Sequence, residues 1–367
     1  YLHKSGMNLA AISAAGFLPF YRKQITEGFD VFENFLFSVN AVMPLVLTIL
    51  LGYVLRRTGF VPEAYFRASD KLVYYVFFPC SLFCSMYGMD VSSDFSLGFI
   101  GYILAGTVLL FLLGSFSARL IIKDRTSRSV SVMNTFRANT SFIGIPLAAA
   151  IAGDAGSTAM VATLLIAIPF FNLFTVIAFM PQHGGNGKSL IFSSLRLLIT
   201  NPLIIGCLSG LAATLLRGYL PLNSAGEPFF MLQRDLPFLY SALSSVGSIT
   251  STVALLNIGG LIDFEIKGSV STKSLVFSCV WRLILAPVMF IGAAAALAGA
   301  GLVSFTPAMF AAIFAHFGTP AAATNGAMAA ELGGDANLAR QSTVYTTVLA
   351  VFTLPIFIML MRTFGLI

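Results

Sequence analysis

Charge is what this chain has least of. Only 10% of its 367 residues are Asp, Glu, Lys or Arg, against roughly 25% in a soluble domain. Meanwhile 57% are hydrophobic and the mean hydropathy is +0.89. Such a chain cannot keep water as its main solvent. Acid is scarcest in the long apolar stretches: no Asp or Glu falls near the middle of one, and Asp154, Glu331 and Asp335 all lie toward ends. That argues against a dedicated proton or sodium exchanger, which keeps intramembrane carboxylates for its cation. There is no His-Glu-x-x-His, P-loop or Gly-x-Ser-x-Gly, so metalloprotease, ATP-driven pump and serine hydrolase chemistry have no foothold and no enzyme is expected. Gly333-Gly334-Asp335 offers one carboxylate where an intramembrane aspartyl protease needs two. The four cysteines, Cys80, Cys84, Cys207 and Cys279, sit in apolar segments and read as small hydrophobes. No disulfide framework, metal site or cofactor is expected. The excess of basic residues is confined to short loops, where it reports topology and not a nucleic-acid partner.

What is present is a series of continuous apolar runs of about 20 residues or more, long enough to cross a hydrocarbon core of roughly 30 Å as helices. A membrane β-barrel would show alternating segments of about 10 residues instead. Charged or Gly/Pro-bearing breaks divide the chain into ten spans, near 34–55, 68–88, 95–121, 129–152, 156–180, 200–217, 236–260, 274–299, 306–332 and 337–363. The expected fold is therefore all-α and integral to a membrane. Ahead of it, residues 1–31 form a tail whose apolar patch, Leu9 to Phe20, is too short to span and reads as an interfacial helix.

Loops after the odd-numbered spans carry Arg56, Arg57, Arg67, Lys71, Lys123, Arg125, Arg128, Lys188, Arg196, Lys267, Lys273 and Arg340, whereas the alternate loops carry Arg217 and Arg234. By the positive-inside rule the first set faces the cytoplasm, and both ends of the ten-span core face outward. A bacterial inner membrane or a plasma membrane is the expected location, because an energised bilayer suits a secondary carrier.

Two halves of five spans each, an odd number, can be alike only as an inverted repeat. Residues 32–181 form the first half and 200–367 the second, with 182–199 a short cytoplasmic loop. Span four carries Asn139-Thr-Ser-Phe-Ile-Gly-Ile-Pro146 followed by Gly153-Asp154-Ala155; span nine carries Phe317-Gly-Thr-Pro320 followed by Gly334-Asp335-Ala336. A proline after Gly-rich polar sequence interrupts the helical ladder and frees backbone groups that lipid cannot satisfy, so each break must face protein or water. Pro146 and Pro320 suit the first position of new half-helices. Two such N-termini meeting at mid-membrane would present N–H donors and positive dipole ends to an anion such as a carboxylate.

Asn139, Thr140 and Ser141 precede the first break; Thr319 lies at the second and Asn325 beyond it, all placed to hold substrate or freed carbonyls. Arg137 lies deep in span four, where it either draws anions or pairs with a carbonyl. Arg282 in span eight poses the same choice. His316, just before the second break, is either a titrating group or a neutral packed ring.

The segments Val42-Met-Pro-Leu-Val-Leu-Thr-Ile-Leu-Leu-Gly52-Tyr-Val-Leu-Arg-Arg57, Lys71-Leu-Val-Tyr-Tyr-Val-Phe-Phe-Pro79, Asn139 through Pro146, Gly318-Thr-Pro320 and Thr353-Leu-Pro355 resemble the auxin efflux carrier family. The resemblance runs from about residue 34 to the C-terminus. It implies two inverted five-helix repeats in which broken helices four and nine cross at mid-membrane. Spans one, two, six and seven would form a scaffold that commonly dimerises; spans three to five and eight to ten would form the moving transport unit. It also carries Asn139, Ile145 and Pro146 onto the first crossover and Thr319 and Pro320 onto the second. The chain departs from the plasma-membrane auxin exporters in its short 181–199 loop and in lacking an asparagine beside Pro320, so auxin is not inferred as cargo. The leading expectation is a carrier of small mono- or dicarboxylates, such as malate or malonate, working by alternating access with or without proton or sodium coupling. A metabolite-binding membrane sensor and a sodium-coupled symporter of the bile-acid type are the alternatives.

Overall fold

In the computed structural model the chain is described over residues 17–88, 96–180, 200–221, 228–264 and 270–367, with side chains from Val31 onward. These described residues are helical apart from turns, short links and an isolated β-bridge. Of the interfacial helix expected over Leu9 to Phe20, residues 9–16 lie outside them, as does the 182–199 loop, and Phe17–Phe20 begin the first helix. Helix α1 runs unbroken from Phe17 to Arg57, so the boundary drawn between residues 31 and 32 falls inside it. The remaining helices are α2 (Glu63–Leu72), α3 (Phe78–Gly88), α4 (Leu97–Ile121), α5 (Arg125–Phe136), α6 (Ile145–Phe179), α7 (Pro202–Tyr219) and α8 (Leu232–Asp235). Then follow α9 (Pro237–Ser248), α10 (Thr250–Gly260), α11 (Thr272–Val280), α12 (Ala286–Gly299), α13 (Pro307–Gly318), α14 (Asn325–Glu331) and α15 (Ala336–Thr363). Among the described residues, seven helical stretches are long and apolar enough to cross a membrane. The protein is a multi-pass integral membrane protein.

Three π-turns, Val73–Phe77, Thr140–Gly144 and Trp281–Leu285, join α2 to α3, lead into α6 and join α11 to α12. Each ends two residues before a proline: Pro79, Pro146 or Pro287. The cause is shared. A proline ring clashes with the carbonyl four residues back and leaves it unpaired, and a wider i→i+5 turn just ahead relieves both problems without breaking the helix. This corrects the expectation that Pro146 opens a new half-helix: it lies in the first turn of α6 beyond the π-turn, and the interruption comes earlier, at Arg137–Asn139.

The expected fourth and fifth spans are separated by a kink within α6. Ala152 leaves helical geometry and Gly153 takes φ 62°, ψ −149°, a region open to glycine almost alone. A second glycine at positive φ precedes α15: Gly333 has φ 67°, and Asp335 then caps α15 by accepting from the Leu338 N–H at 2.9 Å.

Packing relies on small residues, as it must where lipid is as apolar as leucine. Helix α1 packs on α10 and α15, α3 on α7 and α9, and α6 on α13. At the α1–α10 contact a Cβ on Gly259 would overlap the Ile49 carbonyl oxygen, and one on Gly52 would overlap that of Leu256. Neither backbone oxygen can swing aside. Gly259→Ala is therefore expected to force the helices apart at a cost of about 2–3 kcal/mol, the upper range for overpacking, seen as a lower melting temperature in detergent. An unchanged melting curve would show the contact to be looser than this.

Candidate functional site

The site is built where two helices are interrupted. Helix α5 ends at Phe136 and the chain resumes helical form at Thr140; helix α13 ends at Gly318 and resumes only at Asn325. Pro320 therefore lies within an extended link, well ahead of the helix it was expected to open. The two links lie against each other as a short antiparallel bridge, Ala138 opposite Ala321. Asn139 N–H donates to the Pro320 carbonyl at 2.8 Å, and Ala322 N–H donates to the Arg137 carbonyl at 3.0 Å. The Ala321 N–H is taken by Thr346 Oγ1 at 3.1 Å, and the Ala322 carbonyl accepts from Thr343 Oγ1 at 3.2 Å. Backbone groups left unpaired by the two interruptions thus satisfy one another or use hydroxyls of α15.

Beside this bridge lies a cavity of about 80 Å³. Arg137, Asn139, Thr140, Ser141, Thr324, Tyr74 and Asn201 give it polar walls, and Phe142, Ile168, Phe171 and Leu203 close the apolar side. Arg137 is partly buried. Its Nη1 donates to Asn172 Oδ1 at 3.0 Å, its Nε has no partner, and it makes no ion pair with a carboxylate among the described residues. Asn139 is almost fully buried; its Oδ1 accepts from the Phe142 N–H at 3.3 Å, capping the π-turn, while its Nδ2 has no partner. The Thr140 and Ser141 amides, first in the resumed helix, have no carbonyl one turn earlier to receive them. One cation, one unpaired amide N–H₂ and a helix N-terminus therefore line a single small cavity.

Of the residues singled out by sequence, Arg137, Asn139, Thr140 and Ser141 come together on its wall. Ile145, Pro146, Thr319, Pro320, Asn325 and His316 do not line it. Thr319 bonds back to the Ala315 carbonyl at 2.7 Å, and buried Asn325 donates to Asn134 Oδ1 at 2.9 Å, tying α14 to α5. His316 is a packed ring, stacked on Phe171 and 3.0 Å from Thr107 Oγ1 through Nε2. Arg282 is fully buried and is taken up by carbonyls. It donates to those of Thr135, His316 and Phe317, and so places one cation at the C-terminal ends of both α5 and α13.

Tyr74 and Asn201 reach the wall from the α2–α3 junction and the start of α7, and were not singled out by sequence. Tyr74 sits in a π-turn, a feature often found at functional sites, and Asn201 caps α7 by accepting from the Leu203 N–H at 2.9 Å. An Asn-Pro pair at the start of a span reads first as a cap, which hid its second position on the cavity.

A multi-pass helical protein with a polar cavity at paired helix interruptions has the build of a membrane transporter. The match to known proteins is specific: residues 37–358 match the membrane transport protein family, which is the auxin efflux carrier family that the sequence resembles. The chain belongs to that family. It is also similar to an uncharacterized transporter of Methanothermobacter thermautotrophicus, 24% identical over 334 residues that cover 88% of this chain and 98% of the relative. The protein is a membrane transporter.

Proposed function

We propose that this transporter carries small organic anions bearing a carboxylate, binding them at the cavity beside the Ala138–Ala321 bridge and moving them by alternating access. The observation that carries the proposal is Arg137: a guanidinium on the cavity beside the helix interruptions, with no carboxylate partner among the described residues. An arginine in that position is costly unless an anion or water completes it. A carboxylate fits its planar fork, and the Thr140 and Ser141 amides with Asn139 Nδ2 supply donors for the same group. Phe142, Ile168 and Phe171 accept the rest of the molecule.

The architecture in this reading is ten spans in two inverted five-helix repeats. Helix α5 with the part of α6 before the Gly153 kink is the broken span four, α13–α14 is the broken span nine, and the two cross at the bridge. Three correspondences support it. Both interruptions are followed by a glycine at positive φ, Gly153 or Gly333; both are followed by a Gly-Asp-Ala sequence; and each supplies backbone to the other. The packing of α1 on α10 and of α3 on α7 and α9 fits a scaffold of spans one, two, six and seven, the surface through which a homodimer would form. Tyr74 and Asn201 then belong to the scaffold and the remaining polar walls to the moving unit, so the cavity lies on the sliding boundary where alternating access requires it. Proton or sodium coupling stays within this reading, with no carboxylate on the cavity wall to serve as its site.

Asn139→Asp separates site from fold. The new carboxylate can still accept from the Phe142 N–H, so the cap, worth about 1 kcal/mol, is kept. The donor N–H₂ is replaced by a negative oxygen on the wall that Arg137 shares. Saturable uptake of labelled malonate or malate into proteoliposomes is expected to be lost while the melting temperature stays near that of the parent; full uptake by the variant would sink the proposal.

A further inference from the structure

Two cavities that play no part in the anion site adjoin each other at one end of α1. One is a groove of about 210 Å³ between α1 and α15, walled by Val42, Leu45 and Tyr53 on the first helix and Val348, Val351 and Leu354 on the second. Every side chain on it except Tyr53 and Thr347 is apolar. The other is a polar chamber of about 250 Å³ lined by Arg56, Glu63, Arg67, Asp263, Arg340 and Gln341, among others. They are continuous in the chain. Tyr53 of the groove lies one helical turn before Arg56 of the chamber, and Ile262 and Phe264 of the groove flank Asp263 of the chamber.

Their dimensions match one leaflet of a bilayer. From Val42 to Tyr53 the helix rises about 16 Å at roughly 1.5 Å per residue, half of a hydrocarbon core of roughly 30 Å. The chamber then stands at headgroup height. Its charge balance favours an anion, with the three guanidinium groups of Arg56, Arg67 and Arg340 against the two carboxylates of Glu63 and Asp263. Arg56 and Arg67 share one of those, donating to Glu63 Oε2 at 2.7 Å and Oε1 at 2.8 Å. Arg340 is exposed, and its Nη2 donates to the neutral Oδ1 of Asn337 at 2.6 Å. The chamber therefore keeps an excess of positive charge beside a slot shaped for a hydrocarbon chain.

We infer that a phospholipid with an anionic headgroup seats between α1 and α15, its acyl chain in the groove and its phosphate against Arg340 and Arg56. A small anion would fill only the chamber and a lipid without a phosphate only the groove; an anionic phospholipid fills both and, unlike phosphatidylcholine, brings no quaternary ammonium against the three guanidinium groups. Ile143 on the groove belongs to the Thr140–Gly144 turn, so the seated chain touches the segment that also lines the anion cavity.

Native mass spectrometry of the purified transporter with equimolar phosphatidylglycerol and phosphatidylcholine tests this. The parent is expected to retain phosphatidylglycerol about five-fold better, the effect of roughly 1 kcal/mol for one basic residue near a headgroup. Arg340→Gln should bring the two lipids close to equal retention, and Val351→Trp, which fills the groove, should reduce adducts of both. Equal retention of the two lipids by the parent, or an unchanged preference in Arg340→Gln, would overturn the inference. Because Arg340 is exposed, its variant decides the question even if Val351→Trp does not fold.

Discussion

Arg137→Gln is expected to abolish carboxylate uptake and leave the protein folded. The guanidinium makes one side-chain hydrogen bond, to Asn172 Oδ1, and otherwise faces the cavity, so little of the fold depends on it. Glutamine can still reach toward Asn172 with its amide. What it cannot supply is charge. A charge-assisted hydrogen bond is worth about 1.5–3 kcal/mol, so losing a two-pronged contact to a carboxylate should weaken binding by about 100-fold or more. Arg137→Lys keeps the charge and loses the planar fork, and should fall between the two. Uptake kinetics alongside melting curves separate the outcomes. Folded Arg137→Gln protein with parental uptake would remove Arg137 from the site.

Arg282→Met is expected to act on stability. Arg282 is fully buried and donates to the carbonyls of Thr135, His316 and Phe317, at the last turns of α5 and α13. Those carbonyls are the negative ends of two helices brought together at the interruptions, and without a cation between them they repel and remain unpaired. At about 1 kcal/mol for each buried acceptor left without a donor, the loss is about 3 kcal/mol, offset in part because methionine has no charge to desolvate. Thermal unfolding in detergent should show a melting temperature several degrees lower, with uptake reduced in proportion to the folded fraction. A variant as stable as the parent would mean that the helix ends find other donors.

The membrane class and the two interruptions were legible in the sequence because they follow from local rules. Long uncharged runs favour a membrane helix, and a polar, Gly- and Pro-bearing patch in such a run must face protein or water. The position of each break was less legible. Proline marks where the ladder is weakened, yet the π-turn at Thr140–Gly144 absorbs Pro146 and moves the interruption to Arg137–Asn139. The second link extends past Pro320 to Thr324 because its backbone finds partners in Arg137, Thr343 and Thr346, the two threonines lying 21 and 25 residues from the groups they serve. Tyr74 and Asn201 were hidden for a similar reason: each has an ordinary local explanation, and only the fold brings them to the cavity. Asn325 and His316 went the other way, since polar groups near a break can be taken up by packing, as their bonds to Asn134 and Thr107 are.

The central claim is that the cavity beside the two interruptions binds a carboxylate for transport. Uptake of labelled malonate, malate and indole acetate into proteoliposomes, with and without proton or sodium gradients and with Arg137→Gln as the control, tests it most directly. Saturable uptake of at least one of these acids, lost in the variant, is the predicted result. Binding without uptake under every gradient, or uptake that Arg137→Gln leaves intact, would contradict it.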